Sequence, residues 1–445
     1  MLRGVLRKGA LHVVMPDGTS RDYGDGSGPP LTARIHDAAT LRRLSLNPEL
    51  ALGEAYMNES LTVDGDDLQG FLAMLLHNVH RSTLQDRVWW QKIILGLRSG
   101  LRGVAQNNVL SRARRNVSHH YDLSGELYDL FLDTDRQYSC AYFTDPHETL
   151  EQAQADKKAH IARKLLIEPG MRVLDIGCGW GGLALSLARD HCARVVGITL
   201  SREQHAYATE RAKAEGLSDQ VEFRLCDYRN VQGTFDRIVS VGMFEHVGPR
   251  HFTQYFRTIR ELLSPDGIAL VHTIGWTAPP QGTNPWMAKY IFPGGYIPTV
   301  SEAMSAVERA RLWAADIECW RLHYAYTLHH WYERFEQHAD EVRALYDARF
   351  VRMWRFYLAA SEQTFRHGTQ AVFQYQLSRE VDAVPLTRDY LYLPPEQAAQ
   401  HHAGQWRASD PVAGRITAAA SRRRSLRETP PRKEALSDRQ NPSRR

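Results

Sequence analysis

The stretch VLDIGCGWGG, residues 173–182, constrains the fold of this chain more than any other feature of the sequence. An apolar run typical of a β-strand leads into Gly177, Gly179 and Gly182, which have the spacing GxGxxG, and a helical pattern follows at once. Glycine has no Cβ, so the backbone can turn tightly between the strand and the helix and approach a bound nucleoside closely. The motif therefore favours a nucleoside site, although a glycine turn that binds nothing has the same pattern.

Strands and helices alternate around this loop. The apolar periodicity predicts a helix at 149–166 and a helix at 250–263, and between and after them a series of shorter elements: MRVLDIG, GLALSLARDH, RVVGITL, REQHAYATERAKAEG, VEFRLCD, FDRIVSV and, after a PDG turn, IALVHTI. Such alternation is typical of an α/β fold with a doubly wound parallel sheet. A largely helical insertion is expected at 301–368, with a strand IECWRLH inside it and a last strand AVFQYQLSR after it.

A chain of 445 residues is long enough for roughly two or three domains. Residues 1–80 predict a small α+β domain that contains a hairpin (GALHVVMPDGTSRDY), a strand (LTARIHD), a helix (AATLRRLSLN) and a second helix near 66–78. Residues 81–115 predict a helical linker, and residues 116–395 predict the α/β domain. Residues 404–445 are rich in Arg, Ser and Pro and are expected to be disordered.

Positive charge is concentrated in two segments of a chain whose net charge is only +4. Residues 81–115 hold eight basic residues against one acidic, and residues 407–445 hold eleven against four, so each segment carries +7. The first segment fits a basic amphipathic helix that either contacts a membrane surface or packs its apolar stripe on protein. The second is either a membrane contact or a solvated extension. An Arg-rich tail without an aromatic module does not indicate nucleic-acid binding.

Several other functions are excluded by what the sequence lacks. No apolar run reaches the ~18 residues of a membrane span, and the first residues lack the pattern of a secretory signal, so we expect a cytoplasmic protein. Five cysteines without a CxxC pair indicate reduced thiols. The HH pairs at 119, 329 and 401 lack the context that fixes a metal site, so no metal is expected.

The residues around the glycine loop favour one nucleoside over another. A dinucleotide fold needs an acidic residue at the end of the second strand, but that strand ends in GITLS. Asp175 instead closes the first strand, two residues ahead of the glycines, where its carboxylate could pair with the cationic amino end of S-adenosylmethionine. The sequence thus favours the methyl donor S-adenosylmethionine.

Several further strings occur in the order typical of one family. They are HYDLSGELYDLFLD, QYSCAYF, LDIGCGWGG, GITLSREQ, SVGMFEHVG, LVHTIG, IFPGG and HYAYTLHHWYERF. In these strings the chain resembles the cyclopropane-fatty-acyl-phospholipid synthase family, which includes the mycolic acid cyclopropane synthases. Its N-terminal domain is similar to that of the phospholipid-acting members. The resemblance implies a Rossmann-like class I methyltransferase domain with a helical insertion.

The resemblance also implies a set of donor-binding residues. In this sequence they are Tyr138, Ser139, Asp175, Gly177, Cys178, Gly179, Thr199, Leu200, Gln204, Tyr228 and Arg229. Some members carry Trp-Glu where this chain has Tyr228-Arg229. An aromatic wall for the adenine is thereby kept, whereas a carboxylate is lost.

Members of the family bind bicarbonate as the base of the reaction. The matching residues here are Cys140, Glu245, His272, Tyr324 and the backbone of Ile274. Many relatives have a cysteine in the segment that corresponds to FYLAASEQTF, where this chain has Ser361, so no thiol is needed at that position. Methyl transfer to an alkene leaves a carbocation, which aromatic faces can stabilise; the candidates are Tyr138, Tyr142, Phe143, Phe244 and Tyr324.

The resemblance implies an enzyme that transfers a methylene group from S-adenosylmethionine to the cis double bond of an unsaturated phospholipid acyl chain. The alternatives are an enzyme that forms a methyl-branched or methylene product, and a lipid-binding relative without turnover. The expected partner is phospholipid in a bilayer, which the protein would reach transiently at the inner face of the membrane. Family members also suggest a homodimer.

Overall fold

A computed structural model describes residues 6–81 and 124–394, together with residue 397. The predicted linker of residues 81–115 lies outside the described residues except for Arg81, and so does the whole of the predicted tail of residues 404–445. The residues up to Val384 cluster as one compact unit and those from Pro385 onward as another, in which a short helix spans Asp389–Tyr392. No helix within the described residues has the length and apolarity needed to cross a bilayer.

The first part of the chain forms a four-stranded sheet with three helices. Its strands are β1 (Ala10–Val14), β2 (Ser20–Gly24), β3 (Pro30–Ile35) and β4 (Leu61–Val63) in the order β2-β1-β3-β4. Its helices are α1 (Ala38–Leu46), α2 (Pro48–Met57) and α3 (Leu68–Arg81). The predicted hairpin, third strand and two helices are confirmed. Helix α2 and strand β4 were not predicted.

Local chemistry explains where these elements begin. Gly18 has a φ of 81° in the turn between β1 and β2, a conformation that glycine adopts without strain. Asp37 caps α1, because its side chain accepts a hydrogen bond from the backbone N–H of Thr40 at 2.7 Å. Pro48 occupies the first turn of α2, where its missing N–H has no helical partner to lose.

The larger sheet has seven strands in the order β10-β11-β9-β8-β5-β6-β7. Strands β5 to β9 are mutually parallel, and β10 and β11 are antiparallel to their neighbours. The strands are β5 (Arg172–Ile176), β6 (Arg194–Thr199), β7 (Val221–Leu225), β8 (Phe235–Val241), β9 (Leu263–Trp276), β10 (Trp313–Trp320) and β11 (Gln370–Ser378). This topology confirms the predicted doubly wound α/β fold.

Helices surround this sheet and fill the predicted insertion. Two precede the first glycine turn, α4 (Gly125–Phe131) and α5 (Leu150–Leu165). The next are α6 (Gly182–His191), α7 (Arg202–Ala214), α8 (Phe252–Leu262), α9 (Pro285–Tyr290) and α10 (Val300–Ala310). The insertion continues with α11 (His323–Gln337), α12 (Ala339–Leu345) and α13 (Ala348–His367).

One predicted turn takes a different form in the structure. The sequence Ser-Pro-Asp-Gly was expected to make a turn before the fifth parallel strand, but β9 already begins at Leu263. The pairing of β8 with β9 shifts register between Phe235 and Arg237. The extra residues are therefore accommodated as an irregularity within the strand, as a β-bulge allows.

The N-terminal sheet and the helical insertion share one hydrophobic core, which contains Leu11, Phe71, Phe131, Trp331 and Trp354 among other buried side chains. Polar contacts reinforce the junction: the Gln69 amide on α3 donates to Glu362 on α13 at 2.8 Å. The indole N–H of Trp286 on α9 donates to the sulfur of Met57 on α2 at 3.3 Å. The small sheet is thus packed firmly against the part of the larger domain that holds the site.

Candidate active site

The carboxyl ends of the parallel strands meet at one edge of the large sheet, and the glycine loop lies there. Gly177 follows β5 with a φ of 83°, and its N–H donates to the carbonyl of Ile198 at 2.9 Å. Gly181 has a φ of 88°, and a Cβ at that position would lie 2.8 Å from the ring of Phe223. Both positions therefore require glycine, which lets α6 start directly behind the loop.

A small cavity of about 110 Å³ opens beside this loop. Of the predicted donor-binding residues, the lining contains Gly177, Gly179, Thr199, Leu200, Gln204, Tyr228 and Arg229. The hydroxyl of Thr199 donates to the side-chain carbonyl of Gln204 at 2.9 Å, which fixes both side chains at the carboxyl end of β6. We call this cavity the donor pocket.

Four predicted donor residues do not line the donor pocket. Tyr138 and Ser139 line a second, larger cavity. Cys178 is buried in the glycine loop, and Asp175 is buried at 1% exposure in β5. The Oδ2 atom of Asp175 has no hydrogen-bond partner among the described residues. Burial raises the pKa of this carboxyl to about 7.

Some family members carry Trp-Glu where this chain has Tyr228-Arg229, and the structure shows a carboxylate nearby that the sequence analysis did not single out. The guanidinium of Arg229 makes two hydrogen bonds of 2.8 Å to the carboxylate of Asp227, and the backbone N–H of Arg229 donates to the same carboxylate at 3.0 Å. Asp227 also lines the donor pocket. The pocket thus keeps a carboxylate, placed two residues earlier in the chain and neutralised by Arg229.

The larger cavity has a volume of about 990 Å³ and is lined mainly by apolar side chains. All five predicted catalytic residues, Cys140, Glu245, His272, Ile274 and Tyr324, line it. The cavity extends into the N-terminal part of the chain, where the lining includes Leu11, Val13, Ala33 and Ile35 of the sheet and Phe71 and Leu72 of α3. We call it the apolar cavity.

The two cavities adjoin. Gly242, just after β8, and His246, the last residue of the short helical turn Phe244–His246, line both of them. His246 was not singled out from the sequence. Burial lowers its pKa to about 4, so its imidazole is neutral at physiological pH. The side chain that separates a group in the donor pocket from the apolar cavity is therefore uncharged.

Glu245 lies in this helical turn and points its carboxylate at β9. Its Oε1 atom accepts a hydrogen bond of 2.7 Å from the backbone N–H of Ile274. Its Oε2 atom is buried and has no hydrogen-bond partner among the described residues. Burial raises the pKa of Glu245 to about 7, so the carboxyl can hold or release a proton near neutral pH.

His272 lies within β9, opposite Val241 at the end of β8. It is buried, and burial together with the nearby Lys157 and Lys164 lowers its pKa well below the ordinary value. The Nδ1 atom lies 3.1 Å from the amide nitrogen of Gln374 on β11. Because an amide N–H can only donate, Nδ1 accepts and the imidazole proton resides on Nε2.

Cys140 is a buried thiol rather than a reactive one. It is 1% exposed, and its S–H donates to the carbonyl of Ala141 at 3.3 Å. Burial raises its pKa well above the ordinary value, which keeps the sulfur protonated. The side chain is thus a weak hydrogen-bond donor in the wall of the apolar cavity.

The expected aromatic wall is only partly correct. Tyr138 and Tyr324 line the apolar cavity, and both contact Trp331, with ring centroids 5.2 and 5.8 Å away. Tyr142 lies instead between the rings of His160 and His323, Phe143 stacks on His330, and Phe244 packs on Phe252. Tyr142, Phe143 and Phe244 line neither cavity, because neighbouring rings already cover their faces.

Ser361 lines the apolar cavity as well. The position where many relatives carry a cysteine therefore contributes a hydroxyl to the wall of the cavity.

A parallel sheet with this strand order, a glycine loop after its first strand and a pocket lined by that loop at its carboxyl edge define a class I methyltransferase that uses S-adenosylmethionine. The family model for mycolic acid cyclopropane synthetase matches residues 109–375, more than half of the chain. The chain belongs to this family. A second model, described only as a domain of unknown function, matches residues 5–87.

Individual relatives agree with this assignment. The chain is 45% identical over 260 residues to a probable fatty acid methyltransferase of Pseudomonas putida, covering 57% of this chain and 66% of that protein, just under two thirds. It is 39% identical over 357 residues to the cyclopropane-fatty-acyl-phospholipid synthase of Escherichia coli K12, covering 79% and 89%. A solved mycolic acid cyclopropane synthase complexed with SAH and CTAB is 30% identical with a TM-score of 0.57, covering 59% and 97%.

Proposed function

We propose that this protein transfers a methylene group from S-adenosylmethionine to the cis double bond of an unsaturated phospholipid acyl chain and forms a cyclopropane ring. One observation carries the proposal: a large apolar cavity meets the donor pocket at Gly242 and His246, and Glu245 lies beside the junction. This is the arrangement that transfer of a one-carbon group from a nucleoside to a lipid requires.

The donor pocket fits the adenosine part of S-adenosylmethionine. Tyr228 offers an aromatic face, and the Asp227 carboxylate can accept a hydrogen bond from an amino group. The buried Oδ2 atom of Asp175 lacks a partner among the described residues and is suited to an ammonium group. When bound, the donor supplies an electrophilic methyl group on a sulfonium.

The apolar cavity fits an acyl chain. Side chains of the N-terminal sheet and of α3 extend it well beyond the residues nearest Glu245, so a long hydrocarbon can be enclosed. The E. coli relative is named for a phospholipid substrate, and a related solved structure holds CTAB, a surfactant with one long alkyl chain. Both support a lipid substrate here.

The residues at the end of the apolar cavity have distinct tasks in this proposal. An alkene is a weak nucleophile, so the walls must exclude water and hold the double bond in line with the methyl group. Tyr138 and Tyr324 present aromatic faces that stabilise positive charge. Glu245 can take up a proton at Oε2, and His272 can donate its Nε2–H.

Bicarbonate is proposed as the base, and the residues present fit such an anion. Glu245 offers an unpartnered buried oxygen for the O–H group, while Cys140 and His272 offer hydrogen-bond donors. Bicarbonate would supply the group that removes a proton from the transferred carbon. The N–H of Ile274 is bonded to Glu245, so Ile274 would contact the anion only when Glu245 releases it.

A second candidate is an enzyme that leaves a methyl branch or a methylene group on the same chain. The Pseudomonas relative is named a probable fatty acid methyltransferase, and the two cavities would serve either outcome. Loss of a proton from the new methyl group with ring closure gives the cyclopropane, a hydride shift before that loss gives a methylene group, and loss of a chain proton gives a methyl-branched alkene. A lipid-binding protein without turnover is disfavoured by the buried carboxyl of Glu245, which folding alone gives no reason to retain.

The proposal places the protein in the cytoplasm, at the inner face of the membrane when it acts. The two basic segments, residues 81–115 and 407–445, would face anionic headgroups, worth about 1 kcal/mol per basic residue near such a surface. A homodimer stays a prediction from the family resemblance.

Product analysis tests the proposal directly. The full chain is incubated with vesicles of a cis-unsaturated phospholipid and S-adenosylmethionine, and the lipids are examined by mass spectrometry and proton NMR. We expect a mass gain of one methylene, loss of the vinyl signal and a new high-field cyclopropane signal. A new exomethylene signal or the vinyl signal of a methyl-branched alkene would establish the second candidate instead. Product formed equally well by Glu245→Gln would refute the anion site.

A further inference from the structure

We infer that Lys157, on α5, positions the binding site for the carboxylate of the methyl donor, acting through the hydroxyl of Ser139. The inference rests on the proposed use of S-adenosylmethionine and names a residue of that site. It is carried by a buried ammonium group whose hydrogen-bond partners in the described part of the chain are neutral.

The segment that holds Tyr138, Ser139 and Cys140 has no regular secondary structure, so other groups must fix it. One face of α5 does this. The amide of Gln154 donates to the carbonyls of Gln137 and Ser139 at 3.2 and 3.0 Å. One turn further along, the ammonium of Lys157 donates to the side-chain carbonyl of Gln137 at 2.7 Å and to the hydroxyl of Ser139 at 2.8 Å.

The direction of the second bond decides what Ser139 can do. An ammonium group has hydrogens and no acceptor, so the Ser139 oxygen must accept from Lys157. The hydroxyl hydrogen of Ser139 is then left to donate elsewhere, and Ser139 lines the apolar cavity. Lys157 therefore presents Ser139 as a hydrogen-bond donor backed by a buried positive charge, which is a combination suited to an anion.

The charge of Lys157 is only partly compensated: Asp133 and Asp135 interact with it electrostatically, but neither forms an ion pair with it in the described part of the chain. Its side chain is fully buried, and among residues 6–81 and 124–394 no carboxylate oxygen forms an ion pair with it. Burial lowers its pKa to about 8. Buried charges are normally paired. Both hydrogen bonds of Lys157 go to neutral groups and no carboxylate of the described residues is in ion-pair contact with it, so the ammonium can still bind an anionic group that a ligand brings.

A second buried charge defines the chemical class of that ligand. Asp175 interacts electrostatically with Lys157, and its Oδ2 atom is likewise without a hydrogen-bond partner among the described residues. One buried cation and one buried anion near the same loop match a zwitterion. An α-amino acid group has an ammonium for Asp175 and a carboxylate for Ser139 and Lys157. S-adenosylmethionine ends in such a group.

Ligands with and without the amino acid group test the assignment. The dissociation constants of S-adenosylhomocysteine, which keeps that group, and of 5′-methylthioadenosine, which lacks it, are measured by calorimetry on the full chain. For Lys157→Met we expect the affinity for S-adenosylhomocysteine to fall about 10- to 100-fold, as for loss of a charge-assisted hydrogen bond. The affinity for 5′-methylthioadenosine should stay unchanged.

Lys158→Met is the matched control. Lys158 is the next residue on α5 and binds the same segment through Asp135 at 2.6 Å. We expect this variant to bind both ligands like the wild type. A merely structural role for Lys157 would lower both affinities equally, and that result would overturn the inference.

Ser139→Ala provides a second variant that leaves Lys157 and its charge in place, should Lys157→Met fail to fold. This variant should also lower the affinity for S-adenosylhomocysteine and leave the affinity for 5′-methylthioadenosine unchanged. An unchanged affinity for S-adenosylhomocysteine would contradict the inference. The outcomes separate this inference from the proposed function. If the wild type does not bind S-adenosylhomocysteine, the donor itself is wrong. If it binds and the variants bind equally well, only the role of Lys157 is wrong.

Discussion

Replacing Glu245 by glutamine should make the protein more stable at alkaline pH while it impairs turnover. The carboxyl of Glu245 is 8% exposed, and burial raises its pKa from 4.5 to about 7. A group whose pKa is higher in the folded state binds its proton more tightly when folded. The free energy of unfolding therefore declines as the pH rises from 4.5 through about 7, where the folded protein must hold a buried negative charge.

The size of the effect follows from the two pKa values. Above both values the ionised carboxylate destabilises the wild type by about 3.4 kcal/mol, of which about 1.4 kcal/mol is already present near pH 5.5. Glutamine does not ionise, and its side-chain carbonyl can still accept from the N–H of Ile274. The variant should thus gain about 2 kcal/mol relative to the wild type between about pH 5.5 and pH 8.5.

The assay is denaturant unfolding of both proteins at the two pH values, because the difference between them cancels every other titrating group. Glu308→Gln, at an exposed position on α10, is the control. The difference in free energy of unfolding between this variant and the wild type should be the same at both pH values. A Glu245→Gln variant whose relative stability is the same at both pH values would refute the argument that Glu245 is a buried, proton-exchanging carboxyl.

Two further predictions concern the reaction itself. Turnover should rise with pH through about 7, because Glu245 accepts a proton only when it is ionised, and a flat pH–rate profile between pH 6 and 8 (roughly one pH unit on each side of that pKa) would contradict this role. Cys140→Ser should keep part of the activity in the product assay, because Cys140 is a buried protonated thiol that a hydroxyl can replace as a donor; complete loss with the fold intact would favour a nucleophile.

The fold was predictable where short-range patterns decide the structure. Helix α6 and strand β8 have the predicted bounds, since each has strong apolar periodicity and clear turn residues at its ends. Helix α2 was missed, although Pro48 marks its first turn, because its buried residues extend around most of its surface and give no single apolar stripe. The bulge in β9 was missed because Pro-Asp-Gly ordinarily signals a turn.

The candidate site was predictable only for residues next to a recognisable motif. The end of the first parallel strand led to Asp175, and the family resemblance led to Cys140, Glu245, His272 and Tyr324. Lys157 and Gln374 gave no signal, because each acts on a residue that is distant in sequence: Gln374 lies 102 residues from His272. Only the pairing of β11 with β9 brings these two side chains together.

Three polar groups near the cavities are buried and have pKa values shifted toward the neutral form, which suggests that all three bind ligands. Glu245, Asp175 and Lys157 are all buried, and burial shifts the pKa of each toward its neutral form. The two carboxyls also keep an oxygen without a hydrogen-bond partner among the described residues. Apolar side chains of similar volume would serve folding better at all three positions. Glu245 lines the apolar cavity, Asp175 lies at the end of β5 beside the glycine loop, and Lys157 holds Ser139 in the cavity wall. Substitutions at these positions should therefore separate stability from function more sharply than substitutions in the surrounding core.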